Sequence, residues 1–112
     1  MNPDNINKLF NMAVDYIHQG LAAKQFPNKS ELSDDNKLKF YGLYKTATIG
    51  HNNTEKPGML DFVGRAKWDA WNKCSSMSIV DARLGYIKLL YKLAPDWDLF
   101  YEKYLMNNPK KN

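Results

Sequence analysis

The sequence predicts an all-α protein, a bundle of four or five helices that forms one domain. Apolar residues recur at intervals of three and four over long segments, whereas no segment alternates convincingly between apolar and polar residues as a strand would. A length of 112 residues with 44% apolar content is enough for one hydrophobic core but not for two. No internal repeat is visible in the chain.

The first predicted helix starts near Pro3 and stops by Gly20, because proline is common in the first turn of a helix and glycine just past its end. Its apolar residues keep the helical spacing without a fault: Ile6, Leu9, Phe10, Ala13, Val14, Ile17 and Leu21. This pattern indicates an amphipathic helix. The segment from Ala22 to Leu32 contains Pro27, Asn28 and Ser30 and shows no period. We interpret it as a loop long enough to let the first helix cross the bundle.

The second predicted helix opens at Ser33, with a capping hydroxyl followed by two acidic residues, and runs to Gly50. It has two distinct faces, about a third of a turn apart. The core face consists of Phe40, Leu43 and Ala47, and the other face consists of Leu38, Tyr41, Lys45 and Thr48, with Tyr44 between them. A face of tyrosine, lysine and threonine is not needed for packing, so it is available for a ligand.

The third predicted helix is shorter and begins at Asp61, which is placed to cap it after the Pro57-Gly58 turn. It contains Lys67, Trp68, Trp71 and Cys74. For the two tryptophans, spaced three apart, we favour packing over ligand contact.

The fourth predicted helix follows the S-x-x-D pattern of Ser78 and Asp81 and ends at Pro95. Its apolar stripe is Ile79, Ala82, Tyr86, Leu89, Leu90 and Leu93. The aromatic segment from Trp97 to Leu105 predicts one more short helix. We place a single domain at residues 1–106 and a polar tail, expected to fray, at residues 107–112.

Charge is unevenly distributed along the chain. The whole sequence carries +4, whereas residues 37–92 hold ten Lys or Arg against four Asp or Glu, a net charge of +6. The middle of the chain is therefore expected to face an anion, which leaves nucleic acid, a membrane surface and a phosphorylated small molecule as candidates.

The cysteine content and the apolar runs bear on the compartment. A single cysteine, Cys74, allows no internal disulfide, no C-x-x-C motif and no structural zinc site, which agrees with a reducing compartment. The apolar runs are too short to span a bilayer, and the first four residues lack the layout of a signal peptide. We therefore expect a cytoplasmic monomer with no membrane span.

Catalytic chemistry is poorly represented. Neither His18 nor His51 has a carboxylate or nucleophile at a spacing that would place it nearby, and no glycine-rich phosphate loop occurs. Cys74 shares a helix stripe with Lys67, yet we interpret it as a small buried apolar side chain and not as a nucleophile. We expect no enzyme activity, no catalytic residue, no metal and no cofactor.

A ligand site is better supported. Tyr41, Tyr44 and Lys45 stand at i, i+3 and i+4 and so share one helix face. Two phenol rings beside an ammonium group suit a ligand that is both an anion and a flat or apolar body. Lys67 on a neighbouring helix and Tyr86 on the fourth can converge on the same site, although periodicity leaves Tyr86 open between core packing and ligand contact.

Three segments carry a resemblance to a known family. YGLYKTATIG at 41–50 resembles the Y-x-x-Y-K-Q-A-T-x-G segment of the acyl-CoA-binding protein family. NTEKPGMLDFVGRAKWDAWN at 53–72 resembles its second signature, and the run from Ser78 to Ile87 resembles its S-x-x-D-A-x-x-x-Y-I. The match is nearly free of gaps from about Leu38 to Leu90, and the first helix matches only weakly.

The resemblance implies an up-down-down-up four-helix bundle that binds, transports and buffers medium- to long-chain fatty acyl-CoA esters without converting them. By motif, the ligand-binding residues would be Tyr41, Gly42, Leu43, Tyr44, Lys45, Lys67 and Tyr86. Lys45 and Lys67 would hold phosphates, the phenols would contact the adenine and ribose region, and the acyl chain would be shielded between helices. Leu38 is a further candidate, as are His18 and Val63, which stand where the family often has lysine.

Two other functions remain open on the residues alone. The +6 central segment with interleaved tyrosines would suit a small nucleic-acid-binding module, but the chain has only Arg65 and Arg83 and lacks a recognition helix rich in Arg and Asn. A protein-interaction bundle could use the aromatic segment from Trp97 to Leu105 as its contact surface. We expect an acyl-CoA ligand and no nucleic acid.

Overall fold

Six α-helices make up the part of the chain that the computed structural model describes, residues 2–28 and 32–109, and this part contains no strand. The helices are α1 (Pro3–His18), α2 (Leu21–Gln25), α3 (Asp34–Thr48), α4 (Phe62–Cys74), α5 (Ile79–Leu93) and α6 (Trp97–Asn107). The all-α prediction is confirmed. None of the described helices is long and apolar enough to cross a membrane. Ser30 of the predicted loop and residues 110–112 of the predicted tail lie outside the described residues.

Side-chain caps start three of the helices where the sequence predicts them. The Ser33 hydroxyl accepts a hydrogen bond from the backbone N–H of Asn36 at 3.1 Å. Asp61 accepts one from Gly64 at 2.9 Å, and Ser78 accepts one from Asp81 at 3.0 Å. Each cap satisfies a backbone donor that the helix cannot pair itself, which stabilises a helix by about 1 kcal/mol.

Helix α2 corrects the prediction of a structureless loop between Ala22 and Leu32. Gly20 has a φ of 68°, a left-handed conformation that turns the chain, and five helical residues follow. Leu21 is fully buried and Ala22 nearly so. The helix is too short to show a periodic pattern, and burial of Leu21 and Ala22 against α1 and α6 stabilises it instead.

Contacts between α1 and α5 show that these two helices run in the same direction. Arg83 donates a hydrogen bond to Asn7, and one turn further along each helix the rings of Phe10 and Tyr86 meet edge to face at 5.3 Å. The paired positions increase together along both helices. Helices α1 and α5 are therefore parallel.

Helix α3 is antiparallel to α5 and parallel to α4. The ring of Phe40 contacts Tyr86 at 4.8 Å, whereas Leu43, further along α3, lies against Gly85. Towards α4 the order is the opposite, because Tyr41 lies near Lys67 and Lys45 near Trp71. Together with the α1–α5 pairing, this confirms the up-down-down-up bundle.

Helix α6 packs against α1 and α2 and adds to the core. Trp97 is fully buried, with its ring 5.7 Å from that of Tyr16 and 5.3 Å from that of Tyr91. The Tyr101 hydroxyl donates a hydrogen bond to the Asp15 carboxylate at 2.8 Å. The extra C-terminal helix is thus confirmed, and it ties the end of the described chain to the first helix.

Candidate functional site

The two tyrosines of α3 line a cleft of about 200 Å³ between α1, α3 and α5. Tyr41 and Tyr44 are half-buried, and Tyr86 closes the cleft from α5. His18 lies at its edge, with its ring 5.3 Å from that of Tyr44. Four of the sequence-predicted residues are therefore brought together in one place.

Tyr86 is part of the core and also lines the cleft. From its position in an apolar stripe, the sequence left it open between core packing and ligand contact. Its side chain is 1% exposed, and its ring contacts Phe10 and Phe40 edge to face. Burial, together with the nearby Tyr44 phenol, raises its pKa well above the usual range. The hydroxyl therefore stays protonated at neutral pH, and it has no hydrogen-bond partner among the described residues. The hydroxyl is therefore available to donate a hydrogen bond to a bound molecule.

The two predicted phosphate-binding lysines lie over aromatic rings. The ammonium nitrogen of Lys45 is 4.8 Å from the ring centroid of Trp71, and that of Lys67 is 5.5 Å from the ring centroid of Tyr41. Both distances are within the range of cation–π attraction. Neither ammonium group forms a salt bridge within residues 2–28 and 32–109. Their positive charges are therefore uncompensated and available to an anion.

Lys67 and Lys45 occupy different places relative to the cleft. Lys67 does not line the cleft itself, but its ammonium nitrogen lies over the ring of Tyr41, which does. Lys45 does not line the cleft but follows directly after Tyr44 on α3, on the side of the helix that faces Trp71 of α4. Both cations therefore lie where α3 and α4 contact each other, beside the cleft.

A second and larger cleft, of about 650 Å³, lies between α3, α4 and α5. Its apolar lining consists of Leu38, Leu43, Ala66, Ala70, Cys74 and Leu89, and its charged lining consists of Asp35, Lys39, Asp69 and Lys73. Leu38 and Leu43 were sequence candidates, whereas the residues from α4 and α5 were missed. The small residues Ala66, Ala70 and Cys74 at i, i+4 and i+8 were the available signal, because they leave one face of α4 without bulk.

Cys74 is half-buried in the wall of this larger cleft. Burial raises the pKa of its thiol, and the charge of Lys73 lowers it by a smaller amount. The thiol is therefore protonated and weakly nucleophilic at neutral pH. This agrees with its interpretation from sequence as a small buried side chain.

Gly42 and Val63 line neither cleft. A Cβ atom on Gly42 would lie 2.3 Å from the carbonyl oxygen of Ala70, so this glycine lets the backbones of α3 and α4 approach closely. Val63 is 67% exposed in the first turn of α4. The structure therefore gives Gly42 a packing contact and leaves Val63 on the surface.

The two tryptophans of α4 hold the preceding loop against the helix. The indole N–H of Trp71 donates to the Gly50 carbonyl at 2.8 Å, and that of Trp68 donates to the Thr54 carbonyl at 3.0 Å. The amide of Asn52 reaches the Trp68 carbonyl at 3.4 Å. Both tryptophans therefore make packing contacts with the loop, and the Trp71 ring also contacts the Lys45 ammonium group.

In the described part of the chain, no three His, Cys, Asp or Glu residues lie close enough together to hold a metal ion. The fold and the site define a helical bundle with a cationic, ring-lined cleft on one side of α3 and an apolar cleft on another.

Comparison with known proteins identifies the family. The family model described as "Acyl CoA binding protein" matches residues 7–90. The chain is 43% identical over 65 residues to "Acyl-CoA-binding protein homolog 1" of Caenorhabditis elegans, covering 58% of this chain and 76% of that one. The chain therefore belongs to the acyl-CoA-binding protein family, as its motifs indicate.

Two further matches describe the extent of the similarity. The solution structure of "acyl CoA binding protein from Babesia bovis T2Bo" is 42% identical with a TM-score of 0.62, covering 80% of this chain and 93% of that one. "Acyl-CoA-binding domain-containing protein 6 homolog" of Dictyostelium discoideum is 35% identical over 98 residues, which is 88% of this chain. The match spans only 32% of that relative's own length.

Proposed function

We propose that the protein binds medium- to long-chain fatty acyl-CoA esters and carries or buffers them in the cytoplasm without converting them. The observation that carries the proposal is the convergence of Tyr41, Tyr44 and Tyr86 beside the unpaired ammonium group of Lys67. Family membership supports the ligand class. The roles of individual residues are our assignment.

The phosphates of the CoA head would bind to Lys45 and Lys67. Each lysine supplies a charge that no described carboxylate neutralises. An ammonium–phosphate contact is a charge-assisted hydrogen bond, worth about 1.5 to 3 kcal/mol. The phenols of Tyr41 and Tyr44 would contact the adenine and ribose, and the Tyr86 hydroxyl would donate a hydrogen bond within the cleft.

The acyl chain would occupy the 650 Å³ cleft between α3, α4 and α5. Pockets for small ligands commonly have volumes of about 300 to 1,000 Å³ and mostly apolar linings. Leu38, Leu43 and Leu89 provide such a lining, and each methylene removed from water there would contribute about 0.8 kcal/mol. Both clefts are built on α3, so one amphipathic molecule can reach both.

The side chains that line the larger cleft support a role in binding without chemistry. Cleavage of a thioester needs a nucleophile with an oriented base. Cys74 provides the thiol in the lining of the larger cleft, and burial raises its pKa further above neutral pH. We therefore expect the complex to release no free CoA above the rate in buffer.

Titration calorimetry with palmitoyl-CoA, free CoA, palmitate and a short oligonucleotide tests the proposal. We expect one palmitoyl-CoA per chain, weaker binding of CoA, much weaker binding of palmitate and none of the oligonucleotide. The reason is that the lysines recognise phosphates while the cleft recognises the chain. Palmitate binding as tightly as palmitoyl-CoA would contradict the assigned roles of Lys45 and Lys67, and preferred binding of the oligonucleotide would favour a nucleic-acid-binding module instead.

Alkylation of Cys74 gives a separate test of where the chain lies. Cys74 is the single cysteine of the sequence, so iodoacetamide labelling reports on one place in the larger cleft. Palmitoyl-CoA should slow the labelling strongly, whereas free CoA should not. Equal labelling with and without palmitoyl-CoA, under conditions where calorimetry shows binding, would place the chain elsewhere.

A further inference from the structure

Four large apolar side chains are exposed next to one another at the start of α4. Met59, Leu60, Phe62 and Val63 are 67–87% exposed, and they line neither of the two clefts. Asp61 interrupts the run, and its carboxylate caps the helix. Single apolar residues on a surface need no explanation, but a contiguous group of them usually marks a contact site. We refer to residues 59–63 as the apolar cluster.

Hydrogen bonds hold the turn that carries the apolar cluster. The backbone N–H of Asp61 donates to the Gly58 carbonyl at 3.0 Å, and Nε of Arg65 donates to the same carbonyl at 3.0 Å. Further back, the indole of Trp68 is bonded to the Thr54 carbonyl. The apolar side chains are therefore presented by an ordered turn, so little backbone freedom would be lost when they meet a partner.

Cations flank the apolar cluster in the chain. Lys56 precedes it, and Arg65 and Lys67 follow it, against the two carboxylates of Glu55 and Asp61. The cluster also lies within residues 37–92, whose net charge is +6. Its surroundings therefore favour an anionic partner.

Helix α3 brings a further lysine to the same end of the bundle. Helices α3 and α4 are parallel, and the Lys67 ammonium lies over the Tyr41 ring. One turn further back on both helices, Lys37 is level with Val63. The apolar side chains at the start of α4 are thus bordered by positive charge on the neighbouring helix as well as along their own segment.

We propose that the apolar cluster docks the protein on the surface of an anionic membrane. The apolar side chains would enter the boundary between head groups and acyl chains, and the cations around them would meet the anionic head groups. A stable interface with a second protein buries about 800 Å² and about 20 residues on each partner, of which four side chains on one short segment supply a small part. A bilayer accepts such a protruding group without a matching surface.

The position of the apolar cluster next to the larger cleft also favours a lipid surface. Phe62 and Val63 precede Ala66 by one turn, and Ala66 lines the larger cleft. The cluster therefore continues the face of α4 that forms the cleft wall. A docked molecule would hold that cleft beside the bilayer, where an acyl chain could pass between the two; this consequence alone rests on the proposed acyl-CoA function.

Co-sedimentation of the full chain with vesicles, in the absence of acyl-CoA, tests the docking. The vesicles consist of phosphatidylcholine alone or of phosphatidylcholine with phosphatidylserine. Wild type should bind the vesicles that contain phosphatidylserine more tightly, and added salt should weaken this binding. Leu60→Ala/Phe62→Ala should bind them about tenfold more weakly or less still, because each buried Leu or Phe side chain alone is worth roughly tenfold or more.

The matched control removes two apolar side chains of similar exposure from another helix. Leu99 and Met106 are 64% and 82% exposed on α6, which packs against α1 and α2. Leu99→Ala/Met106→Ala should bind vesicles as wild type does. Met59→Ser/Leu60→Ser changes only residues that precede α4, and it should show the same loss as Leu60→Ala/Phe62→Ala. Melting curves check that all three variants fold.

Loss of vesicle binding in both cluster variants, with the α6 variant unaffected, would support the inference. Three results would overturn it: no binding of wild type to the phosphatidylserine vesicles, equal binding by wild type and the cluster variants, or a wild-type dimer in sedimentation equilibrium that the cluster variants convert to monomer. The third would make the apolar cluster an interface between copies of the chain. Because these assays contain no acyl-CoA, failure of palmitoyl-CoA to bind in calorimetry would overturn the proposed function and leave the docking result standing.

Discussion

At the scale of single residues, Lys45 combines a packing contact with an unused charge. Its ammonium group lies over the Trp71 ring and pairs with no described carboxylate. Lys45→Ala should therefore weaken palmitoyl-CoA binding by roughly ten- to a hundredfold, the loss of one charge-assisted contact, with little change in melting temperature. Calorimetry and thermal unfolding of the same samples measure both quantities.

Lys56 provides the matched control for that experiment. It also lies over a tryptophan, 5.6 Å from the ring of Trp68, but it pairs with Asp69 at 3.7 Å and lines neither cleft. Lys56→Ala should leave affinity unchanged. Equal losses in both lysine variants would indicate a general effect of charge and would remove Lys45 from the site.

At Tyr86, the contribution of the ring can be measured separately from that of the hydroxyl. Tyr86→Phe keeps the contacts with Phe10 and Phe40 and removes a hydroxyl that has no partner among the described residues, so stability should not fall. Affinity should fall about two- to twelvefold, the value of one neutral hydrogen bond. Tyr101→Phe is the control, because its hydroxyl donates to Asp15: it should lower stability and spare binding. The reverse pattern would make Tyr86 a purely structural residue.

At the scale of helices, the parallel contact of α3 and α4 depends on Gly42. A methyl group there would meet the Ala70 carbonyl, which is backbone and cannot rotate away. Gly42→Ala should destabilise the fold by about 1 to 3 kcal/mol through overpacking, measured by urea unfolding. Gly58→Ala is the matched control, since its methyl group would enter open space. Equal stability of the two variants would show that α3 and α4 can separate at little cost.

Some of the helices could be predicted from the sequence and others could not. Periodicity and capping residues locate α1, α3, α4 and α5, because each has its own local signals at Pro3, Ser33, Asp61 and Ser78. The tyrosine cleft was predictable in part, since Tyr41 and Tyr44 share one helix face. Helix α2 and the larger cleft were not, because burial of a five-residue helix and the gap between α3 and α4 depend on how distant segments pack.

At the scale of the whole molecule, α6 extends the core beyond the residues that match the family model, 7–90. Trp97 and Tyr101 from α6 are buried against Tyr16 and beside Asp15 of α1. The first and last helices therefore stabilise each other. We expect the described chain to unfold as one unit, with α6 included.

Alkaline pH should destabilise this arrangement. Burial and the hydrogen bond to Asp15 raise the pKa of Tyr101 to about 12, above its ordinary value near 10. Between these values the unfolded chain binds fewer protons than the folded one, so the free energy of unfolding falls as pH rises. Tyr101→Phe should show a shallower fall from pH 10 to 12 in urea unfolding. An identical pH dependence in the variant would show that Tyr101 does not contribute.

The cation–π contacts of Lys45 with Trp71 and of Lys67 with Tyr41 affect the rate at which a ligand binds. Each ammonium group has a favoured position over a ring before any anion arrives, so less side-chain freedom is lost when a phosphate binds. The encounter is then limited by diffusion and by attraction of the anion to the positive surface, and it slows as added salt screens that attraction. Differences in affinity between ligands would accordingly appear in how long each remains bound and not in how fast it arrives.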